Sequence, residues 1–388
     1  MDVAFVAAHV LEPALNSGGD VLFANIAREA ARLRPQWRFA VIAPDYACDG
    51  LAPFFRTVVP LPSQPGEAQR AGAGPRAAAL AWLRRVGPCA QAAGRLGARL
   101  LHATGDFFVD VIPSARLARR TGCHFTGVVH HLNAPPLQRR NELLAASGSW
   151  LLQQVSLRAL RARCERVSVL NADTRDALLA KGFRATQLSV VGAGIDLNRF
   201  ALAPAPPAAG RVLWVHRLEP TKGIFDLPRL ASLLPPGARI DVVGQGPQIW
   251  RRQLQAGLEA AGASERVVFH GRVDEAALAS LYATANAFVS CSYEEGWGLS
   301  LAEALAAGVP CVAYALPSHT QVFGTAIETV PVGDIAALAQ RLGAVLERPD
   351  GPAERARRRA AVEPYSFAAA AARQVAIFDS LLGTPPAE

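Results

Sequence analysis

Two glutamates, Glu295 and Glu303, stand either side of Gly296-Trp297-Gly298-Leu299, between the apolar run Ala287 to Ser290 and an Ala/Leu-rich stretch that stops at Gly308. The run reads as a strand and the stretch as a helix, so two carboxylates flank a glycine-rich turn at a strand-to-helix junction. Glycines let backbone N–H groups approach a ligand closely, and a helix start favours anionic oxygens. Carboxylates accept hydrogen bonds from hydroxyls. The combination suits a ligand that is part sugar and part phosphate. Arg217 and Lys222 bracket another turn, after the apolar run ending at Val215. Two cations there suit a diphosphate and would stabilise charge growing on it. Alone, they would read as surface residues on a loop; beside the two glutamates they read as a site.

Each motif has a plainer alternative. Ser300-Leu301-Ala302-Glu303 also fits a capping box, in which Glu303 bonds back to the backbone of Ser300. Pro228 can start a helix with Asp226 as its cap, which would leave Lys222 on a loop. Gly244-Gln245-Gly246 follows a strand-like run but has Ile249 where a dinucleotide fingerprint needs its third glycine, so an NAD site is excluded. His130-His131 follows the run Phe125–Val129 without a neighbouring carboxylate or Cys in sequence, which argues against a metal pair. Gly18-Gly19, by itself, is a turn. No Asp-x-Asp pair occurs anywhere in the chain.

Taken in order, Arg217-Leu-Glu-Pro-Thr-Lys222-Gly223, Gly244-Gln-Gly246-Pro247, Phe269-His-Gly-Arg-Val273 and Glu295-x7-Glu303 resemble the donor half of the retaining GT-B glycosyltransferases (glycosyltransferase family 4). The resemblance reaches Gly18-Gly19, His130, Gly194-Ile195-Asp196 and the last helix, and so covers most of the chain. It implies an α/β GT-B fold: two Rossmann-like doubly wound domains facing each other across a cleft. It also implies a nucleoside diphosphate-sugar donor, a hexose-type sugar moved with retention, and the leaving phosphate as base. By the resemblance Glu295 and His130 stand at the transferred sugar, and Arg217 and Lys222 at the diphosphate. Glu303 would hold the ribose, with Gly19, Gly244, Gly246, Val273, Gly296, Trp297, Gly298 and Leu299 completing the donor site; Trp297 is expected to pack and shape the turn. Asp196 reads as structural. His216 stands where the family usually has Gly, His131 where Asp is common, and Ser300 where Pro is common. Without Asp-x-Asp, the cations and helix dipoles would neutralise the diphosphate, so no metal or other cofactor is expected.

The elements that must position these residues alternate along the chain. Strand-like runs at Val3–Val10, Phe39–Ile42, Leu100–His102, Phe125–Val129, Val167–Leu170 and Leu188–Val191 are separated by helical patterns. A Pro/Ala-rich linker, 201–210, precedes a second series at Val212–Val215, Ile240–Val243, Val267–Phe269, Ala287–Ser290 and Pro310–Ala315. The expected domains are 1–200, binding the acceptor, and 211–365, binding the donor, with helix 366–383 packing back on the first. Ligands in such sheets sit beyond the carboxyl ends of the strands, where all of these motifs fall.

Composition excludes other classes. With 388 residues and 51% hydrophobic content, the chain suits two folded domains and not a disordered one. No apolar run approaches the ~20 residues that span a bilayer. The start, Met1-Asp2-Val3, does not read as a signal peptide, and six scattered cysteines suit a reducing cytoplasm. Residues 1–200 carry 24 Lys and Arg against 14 Asp and Glu, and the stretch 68–141 has eleven arginines but only Asp106 and Asp110 as acids. That field fits an anionic partner, such as a membrane surface or a lipid-linked acceptor, or it is an arginine-rich solvated surface. Leu151, Leu152, Val155 and Leu160 would form an apolar helical flank near Arg158, Arg161, Arg163 and Arg166, either lying in a membrane interface or packing inside the first domain. A peripheral position at the inner membrane face and a role in cell-surface polysaccharide or glycolipid synthesis follow as expectations, with a soluble acceptor as the alternative. No basic strand with interleaved aromatics supports nucleic acid. Lys181 and Lys222 are the only lysines, and neither suits a pyridoxal phosphate-dependent phosphorylase. A non-catalytic sugar-nucleotide binding protein of the same fold remains as a rival.

Overall fold

Short runs of Val, Ile, Leu and Ala with apolar residues at every position are what a parallel strand covered on both faces requires. The computed structural model describes the chain apart from residues 14–16, 73–74, 139–142, 201–209, 349 and 384–388, and apart from the side chains of 70–76 and 138–146. The Pro/Ala-rich stretch thus lies outside the described residues. The chain divides into two compact units, Met1–Gly194 with Phe367–Glu388, and Ile195–Ser366. Residues 195–200, which sequence composition groups with the first domain, are tied into the second: Ile195 N donates to Tyr365 O at 2.9 Å and Arg359 bonds the carbonyl of Leu197 at 2.7 Å.

The first unit holds a seven-stranded parallel sheet. Its strands are β1 Val3–Val6, β2 Phe39–Pro44, β3 Thr57–Leu61, β4 Leu100–Ala103, β5 His124–Val129, β6 Arg166–Val169 and β7 Leu188–Val190, in the order β3-β2-β1-β4-β5-β6-β7. The second unit holds six: β8 Arg211–Val215, β9 Arg239–Val243, β10 Val267–Gly271, β11 Ala287–Ser290, β12 Cys311–Tyr314 and β13 Glu328–Val330, in the order β10-β9-β8-β11-β12-β13. Both are doubly wound, and in each the order reverses beside its first strand, between β1 and β4 and between β8 and β11. Loops leaving those strands diverge to opposite faces and leave a crevice at the sheet's carboxyl edge.

Buried side chains line both faces of each sheet. The terminal helix Phe367–Leu382 belongs to the first unit: Phe378 sits edge-on to Phe5, centroids 6.1 Å apart, and Arg34 Nε donates to Asp379 at 3.0 Å. All six cysteines are free thiols. No helix among the described residues is long and apolar enough to cross a membrane.

The expected apolar flank on helix Leu143–Arg163 does not form. Leu160 is fully buried, whereas Leu151 and Val155 are 58% and 40% exposed. Nine residues at about 100° each set Leu160 on the opposite side from Leu151. The arginine stretch is likewise mixed: Arg85 is buried against Glu67 and donates to the carbonyls of Ala8 and Val10, while Arg84, Arg95, Arg99, Arg116, Arg119 and Arg120 are exposed.

Candidate functional site

In the second unit the loops after β8 and β11 meet through a glycine. Gly223 adopts φ 74° after the single turn Pro220–Lys222, and a Cβ there would lie 2.1 Å from the carbonyl oxygen of Cys291. Only glycine permits both the left-handed backbone and this approach. Tyr293 N donates to Thr221 O at 2.8 Å and locks the two loops together. The result places Lys222 Nζ 2.7 Å from Glu295 Oε1 and 3.0 Å from the carbonyl of Glu294. Ser292 Oγ donates to the same Glu295 oxygen at 3.1 Å, and His216 Nδ1 lies 3.6 Å from it.

Burial opposes ionisation of Glu295, but Lys222, through its charge and hydrogen bond, together with His216 and His319 outweighs it and holds the carboxyl at about 2. Burial keeps His216 neutral, down to about 3. Asp226 sits at the cap position of helix Leu227–Leu233, yet its side chain makes no capping bond; it accepts from the hydroxyls of Tyr293 and Tyr314, both at 2.7 Å. Lys222 therefore ends a turn fixed by the buried Tyr314, the half-buried Tyr293 and Gly223.

Arg217 is not drawn into this group. Its side chain is 72% exposed and pairs with Glu219 at 2.8 Å. Gly244 and Gly246 are required by backbone packing: a Cβ would lie 1.9 Å from His216 O at Gly244 and 2.2 Å from Leu218 O at Gly246. Val273 is half-buried between β10 and the cap residue Asp274. Trp297 packs between Phe323 and Tyr365, with centroids 5.3 and 5.1 Å away.

Helix Leu299–Ala306 begins after Gly298 at φ 100°. Ser300 is thus inside the helix and is not its cap, so the capping-box geometry is absent. Glu303 instead accepts a hydrogen bond from Tyr282 Oη at 2.9 Å. Burial raises the Glu303 carboxyl above its ordinary value, and burial with the nearby Glu303 charge raises the Tyr282 hydroxyl well above its own. A carboxylate already holding one hydroxyl has lone pairs left for others.

Gly19 and His130 come together within the first unit. A Cβ on Gly19 would lie 3.6 Å from His130 Nε2, which itself donates to Thr104 O at 2.9 Å. Burial lowers the His130 pKa, partly offset by Asp106. Beside them is a group that sequence reasoning missed. His9, on the loop after β1, has Nδ1 2.6 Å from Asp110 Oδ2 and Nε2 3.1 Å from Asp20 Oδ1, and it stacks on Phe107 with centroids 4.3 Å apart. Burial disfavours the charged ring, but Asp110 and Asp20 overcome this and raise His9 to about 10. Tyr282, Ser292 and His319 were also missed. Tyr282 carried one signal: in an apolar Ala/Leu helix, a buried tyrosine hydroxyl needs a partner. Asp196 accepts from Asn198 N at 3.0 Å, a local turn contact.

Residues 204–362 match the family described as glycosyl transferases group 1. The 2-deoxystreptamine N-acetyl-D-glucosaminyltransferase of Streptomyces fradiae is 35% identical over 144 residues, 35% of this chain and 34% of that protein. A phosphatidyl-myo-inositol mannosyltransferase of Mycobacterium leprae is 32% identical over 235 residues, 56% of this chain and 59% of that one. The chain thus spans between about a third and three fifths of the length of these curated relatives. Among solved structures, a sucrose-phosphate synthase from Thermosynechococcus elongatus superimposes with a TM-score of 0.78 over 98% of this chain and 99% of its own, at 22% identity. HepE of Anabaena, solved with UDP and glucose, gives 0.77 over 98% and 100%, at 19% identity. At such identities the likeness is one of fold, and that fold is GT-B. On this scaffold, the stretch 204–362 is what the chain shares with the glycosyl transferases group 1 family.

Proposed function

We propose that this protein transfers a hexose-type sugar from a nucleoside diphosphate-sugar to an acceptor hydroxyl with retention of anomeric configuration. The observation that carries this reading is the Lys222–Glu295 pair, held at the switch point of the second sheet within the stretch that matches the family. Glu295, ionised far below neutral pH, accepts hydroxyls of the sugar; Lys222 faces the diphosphate and stabilises its charge as the glycosidic bond breaks. Glu303 takes the ribose hydroxyls. Arg217, extended on the surface, swings onto the diphosphate when donor binds. In the transfer, the C1–phosphate bond breaks and the C1–acceptor oxygen bond forms on the same face. The acceptor's proton passes to the departing phosphate oxygen, so no strong side-chain nucleophile is needed.

The neighbour solved with UDP and glucose supports a UDP-sugar among the candidate donors. Transfer proceeds without a divalent cation, because Lys222, Arg217 and backbone N–H groups carry the neutralising role. The first unit takes the acceptor, with His130 and Gly19 near the sugar. The exposed arginines of the first unit, together with a relative named for a phosphatidylinositol acceptor, favour a lipid-linked acceptor at the inner membrane face, in polysaccharide or glycolipid synthesis. A thermal-shift screen against UDP, GDP, ADP and their sugars tests the donor reading: a ligand at 100 times its dissociation constant adds roughly 2.7 kcal/mol. No shift with any of them overturns it. Transfer abolished by EDTA and restored by manganese or magnesium overturns metal independence. Equal, negligible flotation with anionic and neutral vesicles overturns the membrane reading and leaves a soluble acceptor.

A further inference from the structure

The turn that carries Glu295 is backed by a histidine with one nitrogen unused. His319 follows β12 in helix Pro317–Phe323 and is fully buried. Its Nδ1 is 3.0 Å from the carbonyl oxygen of Tyr314. A carbonyl only accepts, so Nδ1 carries the proton. Burial lowers the pKa of the ring and keeps it neutral, which leaves Nε2 as a lone-pair acceptor. Nε2 has no hydrogen-bond partner. A buried acceptor without a donor is costly and in native proteins is matched by water or ligand.

The position of that nitrogen says what would match it. Cδ2, bonded to Nε2, lies 3.3 Å from where a Cβ on Gly298 would stand, so this edge of the ring faces the end of the Glu295–Gly298 turn. His319 is also within electrostatic reach of the Glu295 carboxylate. A phosphate oxygen would meet a lone pair there and be repelled, whereas an O–H would be accepted. We propose that His319 is a specificity-determining residue for the donor, its Nε2 accepting a hydrogen bond from one hydroxyl of the transferred sugar. The assignment rests on the donor reading above and names a residue outside the glycine-rich segment and its two glutamates.

Calorimetric titration of wild type, His319→Asn and His319→Leu with UDP, UDP-glucose and the singly deoxygenated UDP-glucoses tests it, with the GDP-mannose series substituted if the screen selects guanosine. Asn keeps an N–H for Tyr314 O and removes only the Nε2 acceptor, so it serves if Leu fails to fold. The nucleoside diphosphate should bind all three proteins within about twofold. The intact nucleotide-sugar should bind the variants about tenfold more weakly. One deoxy donor should bind wild type about tenfold more weakly than the parent and lose nothing further in His319→Asn. If diphosphate and nucleotide-sugar weaken together, His319 only shapes the turn or holds a water, and the assignment is wrong. It is also wrong if every deoxy penalty persists in the variant. If wild type binds neither diphosphate nor nucleotide-sugar, the donor reading falls first and this assignment with it.

Discussion

Lys222 and Glu295 form a 2.7 Å ion pair with side chains only 16% and 13% exposed, between residues 73 positions apart in the chain. The pair exists because Gly223 lets one loop press on the carbonyl of Cys291 at the end of the other. Lys222→Ala removes the largest influence holding the Glu295 carboxyl at about 2 and leaves a buried carboxylate without its cation. Transfer should drop by about 2–4 kcal/mol in kcat/KM, as when one preorganised donor is lost. Arg217→Ala, whose side chain reaches solvent, should cost less without donor and show its effect only in turnover. Steady-state kinetics with a melting curve for each variant would check this, and unchanged turnover in a folded Lys222→Ala protein contradicts the assignment.

The two glutamates should separate. Glu303→Ala should weaken binding of free nucleoside diphosphate, while Glu295→Ala should spare it and suppress sugar transfer. Burial raises the Glu303 pKa and the Tyr282 hydrogen bond works against that. An ionised carboxylate accepts ribose hydroxyls more strongly and on more sites than a protonated one, so nucleotide affinity should fall on the acid side. Tyr282→Phe should move that fall to higher pH. Titrations of nucleoside diphosphate at several pH values would show whether the curve shifts in this direction.

Much of this architecture was legible beforehand because parallel strands buried on both faces leave dense apolar runs. The strands missed were β3 and β13, both at sheet edges; β3 contains Pro60, which an edge tolerates because no ladder bond is needed from it. Glu295, Lys222, Gly244 and Gly246 could be placed on loops after strands, but their contacts could not; Gly18-Gly19, which reads as a turn, opens helix Gly18–Leu33. Ser300-x-x-Glu303 matches a capping box by spacing alone, and only the start of the helix at Leu299 removes that reading. The partners of Glu295, Glu303 and His9 come from distant segments, and spacing along a chain carries no information about contacts made by folding it.

Acid should destabilise the fold across one window. Burial holds His216 and His102 at about 3, against an ordinary 6.5. An unfolded chain takes up those protons near 6.5, while the folded one resists until about 3. Stability is thus fully present above 6.5 and lost as pH falls towards 3, by ~1 kcal/mol per pH unit for each histidine. His216→Phe should flatten this slope by about one proton's worth, measured as the change of urea midpoint with pH. An unchanged slope would mean that His216 titrates normally in the folded protein.

His9 should give the opposite sign. Its folded pKa of about 10 exceeds the ordinary 6.5 because two carboxylates hold its charged form despite burial. Its contribution is fully present below 6.5, declines between 6.5 and 10, and is gone above 10. Asp110 is fully buried and, since burial raises its pKa, resists ionisation without the imidazolium beside it. His9→Gln strands Asp110 and Asp20 near each other with no cation, and should cost on the order of 3–5 kcal/mol at neutral pH. The same variant should lose the alkaline decline that wild type shows. Adding Asp110→Asn removes one of the stranded charges and should recover part of the loss. Urea denaturation of wild type, single and double variants at pH 6.5 and 9.5 separates the charge from mere packing on Phe107. If His9→Gln is as stable as wild type at pH 6.5, or if Asp110→Asn adds to the damage, His9 does not hold the loop after β1 through its charge.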